Sequence, residues 1–328
     1  MKLVEFGPED TEHLSAFVAL RRSIDSVDCP WLREWTPFRQ AAYMRHSWEG
    51  EPGRWFVAYD GDEPVGTASI DASDYDNLEM AWLSVRIAPE HRRRGHGSTV
   101  LAQLESLAAD MGRPLILLNG WDRESTVRFA ESTGYEQKSA EIQRVQVVAD
   151  APDPRPIRDE AFAHAGDYDL LRIEGYAADD LLPALVDLTA AINDAPLDDL
   201  EWEDEVYSPE RVRAYERAQI ESGYRFRRIV ARHRTTGELA GHTVMVVDTE
   251  QPTHAEQHDT SVVRRHRGHR LGLLLKAEML LWLAEDEPQV ESVVTENAES
   301  NSYMIAVNER LGYRPVGRIL DFQRRIDG

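Results

Sequence analysis

Residues 89 to 100 read PEHRRRGHGSTV and residues 264 to 275 read RRHRGHRLGLLL, so that Arg92, Gly95 and Gly97 recur as Arg267, Arg270 and Gly272. A strand that runs through a glycine-bearing turn into a helix leaves backbone N–H groups pointing outward at the helix start, where the macrodipole adds positive potential. That geometry binds phosphate. Glycine lets the backbone come close to the ligand, and arginine adds charge-assisted hydrogen bonds at the rim. The chemistry is therefore the holding of a phosphorylated carrier. A Walker loop needs Gly-Lys-Ser/Thr, and GHGST has no lysine. A dinucleotide fingerprint needs a third glycine and opens a βαβ unit, whereas this loop follows a run of strands that read as antiparallel.

Composition narrows the partners. The net charge of -22 disfavours nucleic acid and anionic lipid, which are held by Lys and Arg, and favours a cationic small substrate. The single cysteine, Cys29, allows neither an internal disulfide nor a cysteine metal cluster. His254 and His258 in HAEQH stand four apart, but the helical zinc pattern HExxH is absent, so no metal is expected. No run reaches the roughly 20 apolar residues that span a bilayer, and MKLVEFGPEDTEHL has no basic and apolar leader pattern. The expected compartment is the cytoplasm.

The elements that must position these loops come in the same order twice. In the first half, strand MKLVEF precedes helices in PEDTEHLSAFVALRRSID and PFRQAAYMRHSW, then the hairpin RWFVAYD/PVGTASID and the strand LEMAWLSVRIA lead into the loop. Helix STVLAQLESLAADMG, strand RPLILLNG, helix RESTVRFAESTGY and strand SAEIQRVQVV follow. In the second half DLLRIEGY, ADDLLPALVDLTAAI, SPERVRAYERAQIESG, RFRRIVARHRTTGELAGHTVMVVD and AEQHDTSVV lead to the second loop, and LLLKAEMLLWLAED, QVESVVTEN and NSYMIAVNERLGY follow it. Pro152, Pro154 and Pro156 mark a linker. The expected organisation is a domain at 1–150, a linker at 151–167 and a domain at 168–328, with a cut inside 151–165 releasing two folded halves.

Arg-x-x-Gly-x-Gly at Arg92, Gly95 and Gly97, preceded by VRIAPE and followed by RESTVRFAESTGY with its Gly134-Tyr135, resembles the coenzyme A loop and last helix of the GCN5-related N-acetyltransferase (GNAT) superfamily. SVVRRHRGHRLG and NSYMIAVNERLGY resemble the same pair of motifs, so the resemblance covers nearly the whole chain as a tandem pair. It implies an α/β (α+β) fold of two acyl-CoA N-acyltransferase domains, each a mixed, mostly antiparallel sheet flanked by helices. It also implies acetyl-CoA (coenzyme A) as cofactor. The pantetheine arm would run along the strand before each loop, at Val85, Arg86 and Ile87 or Val262 and Val263. The pyrophosphate would lie on Arg92, Arg93, Arg94, Gly95, His96, Gly97 and Ser98, or on Arg267, Gly268, His269, Arg270, Leu271 and Gly272, with Asn297 and Asn301 as further polar contacts.

Direct acyl transfer then needs a base for the amine and an acid for the leaving thiolate. Glu79 in the first half, and Glu256 and Asp259 in the second, stand on strands that border the acceptor in the family. Where many members carry a tyrosine acid, this chain has Ala130 and Asn308, so Tyr303, Tyr135, Tyr313 or water would substitute. The acidic segment DAPLDDLEWEDE, residues 194 to 205, falls where this fold overhangs an acceptor and would attract a cation. The expected activity is acetyl transfer to an amine of a small molecule. Acetylation of a protein N-terminus or lysine, or a coenzyme A-binding module without turnover, stand as alternatives. Arg270 adds bulk where the first loop has Gly95, so the first half is the expected better coenzyme site.

Overall fold

The structure, a computed structural model, describes residues 1–326. In chain order its elements are β1 (Lys2–Phe6), α1 (Thr11–Asp28), α2 (Pro37–His46), β2 (Arg54–Asp60), β3 (Glu63–Asp71), β4 (Met80–Ile87), α3 (His96–Asp110), β5 (Leu115–Trp121), α4 (Glu124–Ser132) and β6 (Glu136–Val147). There follow α5 (Pro154–Phe162), β7 (Tyr168–Glu174), α6 (Leu182–Ala190), α7 (Pro209–Glu221), β8 (Tyr224–His233), β9 (Leu239–Asp248), β10 (His254–Val262), α8 (Leu271–Asp286), β11 (Ser292–Ala298), α9 (Ser302–Arg310) and β12 (Arg314–Arg325). The helix starts follow local chemistry. Asp10, Thr36 and Ser208 accept hydrogen bonds from the first turns of α1, α2 and α7, and Pro37 and Pro209 occupy the first helical position, where a missing N–H costs nothing.

Two compact units form, and neither is contiguous in sequence. Unit 1 comprises residues 1–141, 197–203 and 317–328; unit 2 comprises 142–196 and 204–316. In unit 1 the strands run β1-β2-β3-β4-β5-β12, antiparallel except for the parallel pair β4 and β5. Alternation along β2 gives each sheet face its own core. Trp55 and Val57 join Leu14, Phe17 and Ile24 of α1, while Phe56 and Ala58 share a cluster with Val100, Leu101 and Leu104 of α3 and Ala130 of α4. Unit 2 repeats the plan with β6-β11-β10-β9-β8-β7, α5 and α8 packing on one face and α6 and α7 on the other.

The expected boundaries at 150 and 167 differ from these units for three physical reasons. The proline-rich stretch is helical, because Pro154 sits in the first turn of α5 and the Asp153 side chain caps it. The last strand, absent from the sequence reading, puts Phe322 and Leu320 into the core of unit 1. The segment 197–203 also belongs to unit 1: Leu200 and Trp202 pack on Met80, Leu115 and Leu117. The Gln323 side chain brackets the backbone of Glu201 at 2.8 and 3.0 Å, and Asn77 does the same for Glu203 at 2.9 and 3.3 Å. A cut inside 151–165 would therefore take β12 and this segment away from unit 1.

Candidate active site

Strands β4 and β5 pair from Met80 with Leu115 to Leu83 with Leu118 and no further, although β3 continues along β4 to Ile87 and β12 pairs β5 through Trp121. Two parallel strands thus separate in mid-sheet, leaving the β5-facing backbone groups of residues 84–87 without a ladder partner. The gap opens into a cavity of about 480 Å³ whose walls include Val85, Ile87, Asn119, Trp121, Phe129 and Ala130. Glycine is required beside it, since a Cβ on Gly317 would fall 2.5 Å from the Trp121 ring and 2.6 Å from that of Trp31.

The loop closes one end of this cavity. Arg93 and Gly95 both adopt positive φ, 64° and 85°, and the chain enters α3 with no side-chain cap. The first intrahelical bond comes from Thr99 N to Gly95 O, so the N–H groups of His96, Gly97 and Ser98 keep no helical acceptor. Gly97 and Ser98 line the cavity. A Cβ on Gly97 would stand 3.1 Å from the Phe129 ring and 3.8 Å from Ile87, inside the space a ligand would use.

The arginines divide their work. Arg92, expected at the phosphate rim, instead ties the loop to the end of α1: it donates to both carboxylate oxygens of Asp28 at 3.0 and 2.6 Å and to Ile87 O at 2.9 Å. Arg94 donates to Glu90 O, and the His96 ring faces Asp60 at 3.8 Å. Arg93 is exposed, lines the cavity and makes no hydrogen bond among the described residues, which leaves it for an anion. Arg86 turns away from α3 toward α1, where its Nη1 meets Asp25 at 3.2 Å.

The arginines of the second loop are paired within unit 2. Arg264 and Arg267 both bind Asp194, at 2.5 and 2.7 Å, and Arg267 also donates to Val262 O. Arg270 is a non-glycine residue at φ 56°, and its guanidinium reaches Glu160 on α5 at 2.5 Å, away from the helix start. Tyr303 covers that start, its hydroxyl 3.6 Å from where a Gly272 Cβ would be. Asn301 is the cap of α9, accepting from Met304 N, and Asn297 Oδ1 accepts from Arg144 and Asn308. Both asparagines expected to contact the coenzyme are thus committed to the fold. The ring of His269 lies against Tyr168, 5.5 Å between centroids.

Of the acid–base candidates, Glu79 is exposed at the far end of β4, paired with Arg325 at 2.9 Å and outside the cavity wall. Tyr135 and Tyr313 are buried, the first donating to Glu105. Burial raises the carboxyl pKa of Asp259, against the pull of His258 and Arg228. It stands at a register shift of β10, near a polar cluster in which Tyr215 meets His258 at 2.6 Å and Arg228 meets Glu216 at 2.5 Å. Glu256 lies 3.4 Å from the Tyr224 hydroxyl. Cys29 is buried and its thiol is pushed up to about 12 by burial and then by Asp25, so it is no nucleophile. Among the described residues no group of three or more His, Cys, Asp or Glu side chains is placed to hold a metal ion, and no helix is long and apolar enough to cross a membrane. The sequence reading missed Asp25, Asp28, Arg21, Asn119 and Trp121. The i,i+3 pair Asp25 and Asp28 at the end of α1 is the signal it could have used.

A splayed parallel strand pair against a glycine-bearing helix start, present as a tandem arrangement, agrees with the comparisons. The model described as Acetyltransferase (GNAT) family matches residues 21–135 and 192–313. The chain belongs to that family and is an N-acetyltransferase, and family members draw on acetyl-CoA. The structure is similar to that of a tandem GNAT protein from the clavulanic acid biosynthesis pathway, at 24% identity and a TM-score of 0.81 over 100% of this chain and 99% of that one. It is similar also to a GCN5-related N-acetyltransferase from Sphaerobacter thermophilus, at 14% identity and a TM-score of 0.70 over 100% and 96%. No curated protein sequence matches the chain.

Proposed function

We propose that the chain transfers an acetyl group from acetyl-CoA to an amine of a small molecule, with unit 1 as the principal coenzyme site and the cytoplasm as its compartment. The observation that carries this reading is the opening of the β4/β5 gap directly onto the uncapped start of α3, with Gly97 leaving room between Phe129 and Ile87. The residues present fit the coenzyme: free N–H groups of His96, Gly97 and Ser98 for the pyrophosphate, Arg93 beside them, and, for the amides of the arm, the backbone of 84–86 on the side that β5 leaves unpaired. When bound, acetyl-CoA supplies an activated thioester carbonyl. Val85, Ile87, Phe129 and Trp121 give the cavity an apolar wall. Ala130 stands where the family resemblance implies an acid, so the proton for the departing sulfur comes from water.

The cationic character expected of the acceptor rested partly on the segment 194–205. Its stretch 197–203 is held on Met80, Leu115 and Leu117, at the paired end of β4 and β5, opposite the gap. What remains is the overall negative charge and the ammonium that an aliphatic amine acceptor carries at neutral pH. Release of free thiol from acetyl-CoA across a panel of small amines tests the reading; the expected result is amine-dependent release. Release with none of them, or only with a protein or peptide acceptor, overturns it.

A further inference from the structure

In a chain with 59 acidic and 37 basic side chains, the cavity of unit 1 carries the opposite balance: Arg86, Arg92, Arg93 and Arg123 face only Asp25 and Asp28. Three of these arginines are accounted for. Arg92 is paired with Asp28, Arg93 stands at the phosphate end, and Arg123 donates to the last carbonyls of α1, Val27 O and Asp28 O, at 2.7 and 2.6 Å. Arg86 is not. It shares Asp25 with Arg21, which approaches the other carboxylate oxygen at 3.3 Å and stacks on Trp35 at 4.0 Å. Two guanidinium groups thus hold one carboxylate, and among the described residues neither has another hydrogen-bond acceptor. Both are mostly shielded, with side chains 18% and 33% exposed. Burial, and then the charge of Arg86, lower the Arg21 pKa to about 10, so Arg21 keeps its proton at neutral pH, and the two guanidinium groups face a single carboxylate.

We propose that this Arg21–Arg86 pair is the receptor for a carboxylate carried by the acceptor, so that the amine acetylated in unit 1 belongs to an amino acid or a similar amino-carboxylate. A partly shielded guanidinium with free N–H groups is completed by a planar oxyanion, which it binds through a fork of two bonds. Alternation along β4 sets the direction. Val85 and Ile87 pack with α3 and α4, the face of the phosphate loop, whereas Arg86 points to α1 on the other face. The anion therefore sits across the gap from the coenzyme's phosphates, on the side from which an acceptor amine would enter. The overall negative charge then favours the ammonium end of such a zwitterion, and the local positive charge fixes its other end.

This inference rests on the proposed acetyl transfer, and the test separates the two. The full chain is assayed with acetyl-CoA and a panel of amino acids, ω-amino acids and their carboxamides, and the same compounds are titrated calorimetrically into the chain in the presence of coenzyme A. The expected result is at least a tenfold preference for acid over amide in both kcat/KM and affinity. In Arg86→Met, and separately in Arg21→Met, that preference should collapse through KM while acetyl-CoA affinity stays within about twofold. Equal use of acids and amides, or no acid bound more tightly than its amide, overturns the proposal but leaves acetyl transfer standing. Loss of acetyl-CoA affinity in Arg86→Met would assign the pair to the coenzyme instead. A preference for succinyl-CoA over acetyl-CoA that Arg86→Met removes would place the carboxylate on the donor, and each of these outcomes also overturns it. Absence of thiol release with every amine defeats the transfer reading, while the calorimetric arm still decides the carboxylate site.

Discussion

Replacing Lys276 with methionine is expected to raise the melting temperature at pH 7 by roughly 5 °C or more. Lys276 lies four residues beyond Gly272 on α8, where unit 1 has Leu101, and it is 1% exposed. Burial lowers its ammonium from 10.5 to about 7. At 1.36 kcal/mol per pK unit this burial costs on the order of 5 kcal/mol when the group must be charged. The ring of Tyr313, 5.1 Å away, returns about 0.5–2 kcal/mol as a cation–π contact and cannot offset it. The sign follows from proton counts. Between about pH 7 and 10.5 the unfolded chain holds a proton that the folded chain has released, so stability rises with pH across that window and the penalty is complete below it. Thermal unfolding of both proteins from pH 6 to pH 10 should show the gain from Lys276→Met largest at the acid end and shrinking toward pH 10. A variant less stable than the parent at pH 7 would mean that the amine makes a contact worth more than its desolvation.

Gly97→Trp is expected to weaken acetyl-CoA binding by two orders of magnitude or more, and Gly272→Trp by only a few-fold. The contrast comes from what each glycine faces. Even a Cβ on Gly97 would crowd the Phe129 ring at 3.1 Å, and the rest of an indole has only the cavity to enter. At Gly272 a Cβ meets the Tyr303 hydroxyl at 3.6 Å, an ordinary contact with a side chain that is 59% exposed and free to swing aside. The second helix start is in any case already shielded by Tyr303, and Arg270 is drawn off by Glu160. Calorimetry on the two variants decides the ranking. If Gly272→Trp abolishes binding and Gly97→Trp is silent, unit 2 is the coenzyme site and the order proposed here is reversed.

What could be read from the sequence was what local chemistry dictates. Two loops with matched arginine and glycine positions, the helices capped by Asp10, Thr36 and Ser208, and the alternating strands before each loop were visible because spacing along the chain determines them. What could not be read depends on partners distant in sequence. Arg92 was expected at a phosphate, yet Asp28, 64 positions earlier, claims it. The segment around Trp202 read as an acidic overhang that attracts a cation because its acids outnumber its apolar residues, although Leu200 and Trp202 dock it together with Gln323 and Asn77. Prolines 152, 154 and 156 read as a linker because proline breaks helix interiors, whereas Pro154 and Pro156 stand in the first turn of α5, where the missing donors are not used. The Arg21–Asp25–Arg86 group joins a helix to a strand 61 positions away from Asp25, and no motif announces it.

The central claim is that the split between β4 and β5, closed at one end by the start of α3, is an acyl-CoA site. It is tested most directly by calorimetric titration of the unmodified chain with acetyl-CoA. The expected result is saturable binding dominated by one equivalent per chain, its affinity falling as salt rises because Arg93 and the helix start meet the phosphates electrostatically. No binding at millimolar acetyl-CoA would contradict the claim.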